Sequence, residues 1–352
     1  VSTPVDYAVV IPTLGRPCLD DCLAALARSV GPAPREVVVV HDAPGPRHGQ
    51  PPPSLEALGE LRRVATLLAG GGRGPAAARN RGWATVTAPW VVFLDDDVRV
   101  TPAWRTELNR DLQRAAPGTG GVQGVLDVPL PAGRRATDWE RATAGLAGAR
   151  WATADMAYRT CLLDSVGGFD ERFPRAFRED AELALRVMAA GWRLERGGRV
   201  TRHPVRPSGA WASLRRQAGN ADDALMVRLH GRDWWERAEA PRGRLRRHAA
   251  VTAAGATAAV FALARRPVAG AAAGLVWALG TAEFAWARIA PGPRTPQEVA
   301  AMVATSVAIP PAAVWHRLRG TVRHRGAQPL PGRCSPPEPV LRGRAARKEP
   351  TP

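Results

Sequence analysis

The strongest constraint on the fold is a set of short runs that are apolar at nearly every position. YAVVIPT at 7–13, EVVVV at 36–40 and WVVFL at 90–94 have no polar face to offer water. A strand made from such a run has to be covered on both sides. Segments with helical spacing lie between them: LDDCLAALARSV (19–30), and GPAAARNRGWATV (74–86) with Pro75 near its start. RRVATLLAG (62–70) reads as a further, shorter strand. Two-sided strands alternating with helices predict an α/β fold with a mostly parallel sheet flanked by helices.

Each run stops on polar residues: Pro12–Thr13, His41–Asp42 and Asp95–Asp96–Asp97. Sheets of this kind bind ligands beyond the carboxyl ends of their strands. The parallel arrangement alone therefore predicts that these three stops share one rim. Adjacent carboxylates repel, and as hard oxygen ligands they suit Mg²⁺ or Mn²⁺. A solvated acidic turn is the plainer reading of the same triplet. His203, in RVTRHP, reads as a further metal ligand, as a diphosphate contact, or as simple packing. Glu179 and Asp180 stand at the front of a helix over REDAELALRVMAAGW (178–192), with Leu183, Val187 and Met188 as its apolar stripe. They serve the helix dipole there, or supply a general base above a cleft. Arg79 and Asn80 follow the turn GGGRGP, within reach of a donor phosphate or sugar hydroxyl.

The remaining elements are read more coarsely. TPAWRTELNRDLQRA (101–115) predicts a helix with Thr101 as N-cap and Pro102 at its first position. A strand is expected over 120–130, a helix around 138–147, then an extended piece. A short helix over 160–166 closes at Gly167–Gly168. RLERGGRVTRHPVRP (193–207) reads as a hairpin or short strand pair, and 211–229 as helical. Four cysteines, at 18, 22, 161 and 334, form no ligand pair or disulfide framework. Cys18 and Cys22 read as helix packing. No stretch at the N-terminus has the pattern of a signal peptide, which predicts a reducing, cytoplasmic setting for this part.

Charge divides the chain. The net charge is +17, and residues 241–352 carry 17 basic against 4 acidic residues. Nearly all the basic residues are Arg, Lys348 being the only Lys, in a chain rich in Ala, Gly and Pro. That usage fits a biased genome as well as a function, so charge alone decides little. Three apolar runs follow residue 240: 249–264 and 299–315 without a charge, and 267–287 with Glu283 alone. Arg242, Arg244, Arg246 and Arg247 precede the first, and Arg265–Arg266 separate the first two. Two readings stand: helices on or in an anionic bilayer at the inner face of the cell membrane, or an Ala-rich bundle packed on the rest of the chain or on another subunit. Basic residues are not interleaved with stacking aromatics, so nucleic acid is not an expected partner. The chain divides into 1–240, a helical Ala/Arg-rich extension over 241–325, and a Pro- and Arg-rich tail over 326–352 expected to lack structure.

Taken in order, VVIPTLGRP, VVVVHDAP, GPAAARNRGW, VVFLDDDV, ADMAYRTCLLDSVGGFDERF and REDAELALRVMAAGWRL resemble a family 2 glycosyltransferase over residues 7 to about 205. The resemblance implies the GT-A fold, a Rossmann-like sheet flanked by helices, and a nucleotide-diphosphate sugar as donor. It implies Asp97, Asp95 and His203 as ligands of Mg²⁺ or Mn²⁺. Pro12, Thr13, Arg16, Asp42, Arg79, Asn80, Asp95 and Asp96 would bind the donor. Asp180 would be the catalytic base, with Glu179 as its neighbour and substitute, and Asp155, Met156 and Trp192 would face sugar and acceptor. VHDAP departs from the family's usual pair of acids followed by Gly and Ser. The Gln-x-x-Arg-Trp element of processive members is missing from RRQAGNADD (215–223), which implies one inverting transfer per encounter rather than polymer synthesis. The expected acceptor is a hydroxyl, on a small molecule, a lipid-linked sugar or an envelope polysaccharide. The alternative keeps the fold and changes the chemistry: a nucleotidyltransferase, or an inactive nucleotide-sugar binder.

Overall fold

In the computed structural model, residues 3–43 and 52–331 are described. Cys334 and residues 332–352 of the expected unstructured tail lie outside them. The elements in chain order are β1 (Tyr7–Thr13), α1 (Cys18–Arg28), β2 (Glu36–His41), a 3₁₀ segment (Glu56–Val64), β3 (Ala65–Ala69), α2 (Pro75–Trp83), β4 (Trp90–Leu94), β5 (Arg99–Val100), α3 (Trp104–Arg114), β6 (Thr119–Asp127) and α4 (Asp138–Ala144). A 3₁₀ turn (Gly145–Gly148), β7 (Asp155–Arg159), α5 (Thr160–Val166), α6 (Glu179–Ala189), β8 (Arg193–Arg202), α7 (Ala212–Arg215), a second 3₁₀ turn (Arg216–Gly219), α8 (Asn220–His230) and α9 (Trp234–Arg237) follow. Three long helices come last: α10 (Leu245–Leu263), α11 (Pro267–Ile289) and α12 (Pro296–Arg323).

Eight strands form one sheet in the order β3-β2-β1-β4-β7-β6-β8-β5. The β3-β2-β1-β4 half is parallel throughout, and β6 pairs parallel with β8; β7 runs antiparallel to β4 and β6, and β5 antiparallel to β8. This is the α/β, mostly parallel architecture with a helical C-terminal region.

Strand alternation divides the fully apolar runs between two cores. Val9, Ile11, Val37, Val39, Val92 and Leu94 face α1 and α3. Val10, Val38, Val40, Val91 and Phe93 face α2, α5 and α6. Gly82 lets α2 approach closely, since a Cβ there would lie 2.4 Å from Val10. A third cluster, with Phe173, Leu185, Leu225, Met226 and Trp234, fastens α8 and α9 to α6.

Several boundaries differ from the sequence expectation. α3 begins at Trp104, and Thr101 serves only through its carbonyl, which accepts from the Trp104 N–H. Residues 193–202 form one strand, not a hairpin. Gly197 and Gly198 sit within it because Asp111 of α3 presses against them and accepts from the Gly198 N–H at 2.9 Å. The helix expected over 138–147 is α4 running into a 3₁₀ turn, and the extended piece after it becomes β7, paired on both edges.

Candidate active site

A cleft of about 700 Å³ opens at the carboxyl rim of β1, β2 and β4. Pro12, Thr13, Arg16, Asp42, Arg79 and the three acids at 95–97 line one side of it. Glu179, Asp180 and His203 line it too, as do Trp139, Thr143 and Leu146. The register explains the first side: Thr13 pairs with His41, and the Asp42 N–H donates to the Thr13 carbonyl at 2.7 Å. The structure thus brings together the three polar stops that are distant in sequence.

The three acids have different surroundings. Asp96 is buried and accepts from Thr13 Oγ1 at 2.7 Å and from Arg16 at 2.9 Å. It fastens the loop after β1 to the exit of β4, so the donor contact expected of it has both oxygens already engaged within the protein. Asp95 accepts from Arg79 at 2.7 Å. Asp97 has His203 Nε2 at 3.6 Å from Oδ1 and Arg206 Nε at 2.8 Å from Oδ2. Burial, and then the neighbouring Asp95 charge, push the Asp97 carboxyl up to about 6, against the pull of His203.

One ligand atom each from Asp95, Asp97 and His203 lies within 4.8 Å of the others. Two carboxylates and an imidazole form a donor set suited to Mn²⁺ and acceptable to Mg²⁺. His203 Nδ1 is buried without a hydrogen-bond partner, and Asp97 Oδ2 is satisfied only by the ion pair with the half-exposed Arg206. Buried polar atoms rarely stay unpaired, so the residues present fit a divalent cation.

Arg79 is buried between two acids, donating to Asp95 and to Glu179 Oε1 at 2.8 Å. Burial opposes its charge, but Asp95 and Glu179 outweigh burial and hold the guanidinium protonated. Burial, followed by the adjacent Asp180 charge, raises the Glu179 carboxyl above the usual range. Glu179 thus braces Arg79. Asp180, half-buried and lining the cleft, accepts among the described residues only from the Ala181 N–H at 2.7 Å, and burial raises its carboxyl as well. Asp42 accepts from the backbone of the glycine-rich turn, from Arg73 N at 3.0 Å and Gly74 N at 2.7 Å. Gly74 has a φ of 97°, and a Cβ there would lie 2.8 Å from the Pro174 carbonyl, so the turn requires glycine.

Four predicted site residues lie elsewhere. Asn80 donates to the Phe169 carbonyl and accepts from the Phe169 N–H, both at 2.8 Å, fastening the GGFDERF loop to α2. Asp155 is fully buried at the start of β7, accepting from Trp104 Nε1 of α3 and, across β6, from Arg199 Nε and Thr201 Oγ1 of β8 at 2.6–2.8 Å. Met156 and Trp192 are core residues beside Phe93 and Leu162. None of Asp155, Met156 and Trp192 lines the cleft; Trp139, Thr143 and Leu146 of α4 and the turn after it do. Arg206 and Trp139 escaped the sequence reading. For Arg206 the available signal was its position three residues after His203 in a run rich in Arg.

Residues 8–161 match the family model described as Glycosyl transferase family 2. No curated protein matches the sequence. Among solved structures, the chain is similar to TarS of S. aureus, with 16% identity and a TM-score of 0.38 over 65% of this chain and 41% of that one. This chain therefore spans about two fifths of the length of TarS. It is also similar to the mannosyltransferase PcManGT from Pyrobaculum calidifontis, solved in complex with GDP-Man and Mn²⁺, at 19% identity and a TM-score of 0.49, covering 92% of this chain and 89% of that one. A third structure, GalNAc-T7 with UDP, GalNAc and Mn²⁺, matches at 14% identity and a TM-score of 0.45 over 68% of this chain and 55% of that one.

Proposed function

We propose, from the match of residues 8–161 to the model of glycosyl transferase family 2, that the chain transfers one sugar, with inversion, from a UDP- or GDP-sugar to an acceptor hydroxyl. The observation that carries the reading is the single cleft in which Asp95, Asp97 and His203 converge while Asp180 faces the same space with its carboxylate uncommitted to any other side chain.

Each residue has a role in that reaction. Asp95, Asp97 and His203 hold a Mg²⁺ or Mn²⁺ ion. The ion's chemistry is to neutralise charge growing on the leaving diphosphate. Arg206, half-exposed beside Asp97, reaches the same phosphates. Asp42 and the Gly-rich turn shape the nucleotide end of the cleft. Asp180 takes the proton from the acceptor hydroxyl as its oxygen attacks the anomeric carbon, and its raised carboxyl is a better base for that purpose than an ordinary aspartate. Trp139 and Leu146 give the acceptor side an apolar wall. The acceptor we propose is a glycolipid or another envelope glycan.

The test is nucleoside diphosphate release from a panel of UDP- and GDP-sugars with Mg²⁺ or Mn²⁺. Asp180→Asn should lower turnover by about 10²-fold or more and leave donor binding intact. Asp97→Asn should lower both. Normal turnover in both variants, or pyrophosphate release from a nucleoside triphosphate in place of sugar transfer, would sink the reading.

A further inference from the structure

We propose that the α10–α11 hairpin inserts into an anionic lipid bilayer, with the arginines at its base among the headgroups. Residues 249–264 of α10 and 267–282 of α11 are two antiparallel stretches of sixteen residues without a charge. At 1.5 Å per residue each is about 24 Å long. Arginines bound this slab at both ends: Arg242, Arg244, Arg246 and Arg247 at the base, Arg265 and Arg266 at the tip. A bilayer's hydrocarbon core is about 30 Å thick, and a shorter span is accommodated by local thinning and by arginine side chains reaching toward the interface.

The apolar side chains of the slab point outward. Leu263 is 86% exposed, Val268 83% and Leu279 62%. In α11 only Ala285 and Arg288 are buried, and both lie below the slab. A 23-residue helix that hides almost none of its apolar surface in the protein has its partner elsewhere. Between the two helices a glycine on each receives a larger side chain of the other. A Cβ on Gly255 would lie 2.8 Å from Trp277, and one on Gly280 2.6 Å from Val251. Close approach of this kind is how helices associate in lipid, where the hydrophobic effect cannot drive them together.

The base supplies the charge complement. A depression of about 470 Å³ is lined by Arg242, Gly243, Arg244, Arg246 and Arg247 and by no carboxylate. Glu283, on the neighbouring turn of α11, is already paired with Arg244 and Arg247. Lipid phosphates fit this ring. A second copy of the chain fits less well, because either orientation of two hairpins sets one basic end against another. α12 stays with the catalytic unit: a Cβ on Gly320 would meet the Ala221 backbone of α8 at 2.6 Å.

The experiment is flotation of the full chain with vesicles of phosphatidylcholine alone or mixed with phosphatidylglycerol, with trypsin added outside. The chain should float with the mixed vesicles and stay bound through molar salt. Trypsin should cut after Arg265 in detergent but not in vesicles. Leu275→Glu with Leu279→Glu should lower the bound fraction about tenfold on both vesicles. Arg246→Glu with Arg247→Glu should lower it on the phosphatidylglycerol vesicles alone, and circular dichroism melts should show both variants folded. A wild-type chain that stays in the aqueous phase, undiminished cutting after Arg265 in vesicles, or flotation unaffected by the Leu changes would each overturn the proposal. A dimer by light scattering that the Leu changes abolish would then assign the face to a second copy. Flotation requires no turnover, so its failure leaves the sugar-transfer reading standing.

Discussion

Asp97 carries two opposed demands. Its position beside Asp95 and His203 suits a cation, and the same position, without one, places a carboxylate in a buried spot next to a like charge. A carboxyl whose folded pKa lies above its unfolded value holds its proton more tightly in the native state. Stability from that group is therefore complete at low pH and falls as pH rises from about 4 through about 6. Asp97→Asn removes the penalty. Metal-free protein at pH 7 should then melt higher by the equivalent of about 1–2 kcal/mol, less than the full shift because Arg206 loses its partner. The same variant should lose the increase in melting temperature that Mn²⁺ gives the wild type. Thermal melts at pH 5 and 7, with and without Mn²⁺, check both signs. Glu179 and Asp180 separate by a different measurement. Glu179→Ala leaves Arg79 buried with Asp95 as its one remaining acid, which should cost about 3–5 kcal/mol. Asp180→Asn removes no side-chain partner and relieves a carboxyl that burial disfavours, so the denaturation midpoint should hold or rise while turnover collapses.

At the scale of elements, the legible parts were those whose signal is local. β1, β2 and β4 are apolar on both faces within five to seven residues, so their burial and polar exits could be read directly. The parallel register then brought Thr13, Asp42 and Asp95–Asp97 to one rim. The misread parts depend on partners far away in the chain. Gly197–Gly198 signal a turn in isolation and become strand residues only because Asp111, more than eighty positions earlier, packs on them. Asp155 resembles a site aspartate in sequence, yet three donors from α3 and β8 make it a structural acceptor. Asp155→Ala leaves Arg199, itself fully buried, with Asp111 as its one remaining acid, and strands the Trp104 and Thr201 donors. The expected loss is about 3–5 kcal/mol, read as a lower denaturation midpoint. A ligand-facing aspartate would instead cost turnover at unchanged stability.

For the molecule as a whole, one buried arginine decides how the helical extension meets the cleft. Arg288, near the end of α11, donates to Asp138 of α4 at 2.8 Å and to Thr305 and Ser306 of α12 at 2.8 and 3.0 Å, and stacks over Phe284. A second tie runs from the Asp138 N–H to Glu298 of α12 at 2.8 Å. Trp139, Thr143 and Leu146, next along α4 and its 3₁₀ turn, form part of the cleft wall. The wall is therefore positioned by residues about 150 positions downstream, through contacts that never touch the rim of the sheet. If that wall receives the acceptor, loosening it should change acceptor affinity and spare the donor. Arg288→Met keeps the packing volume and removes the donors. It should raise KM for the acceptor about tenfold, with donor KM and Mn²⁺ response unchanged, and lower stability by about 1–2 kcal/mol, since Asp138 keeps Arg141 at 3.7 Å and Ser213 at 3.2 Å. Equal effects on donor and acceptor KM would mean instead that Arg288 supports the whole fold and has no particular hold on the acceptor side. The conservative Arg288→Lys, which keeps the charge but lacks the fork that spans Asp138, Thr305 and Ser306, should recover stability more than acceptor KM.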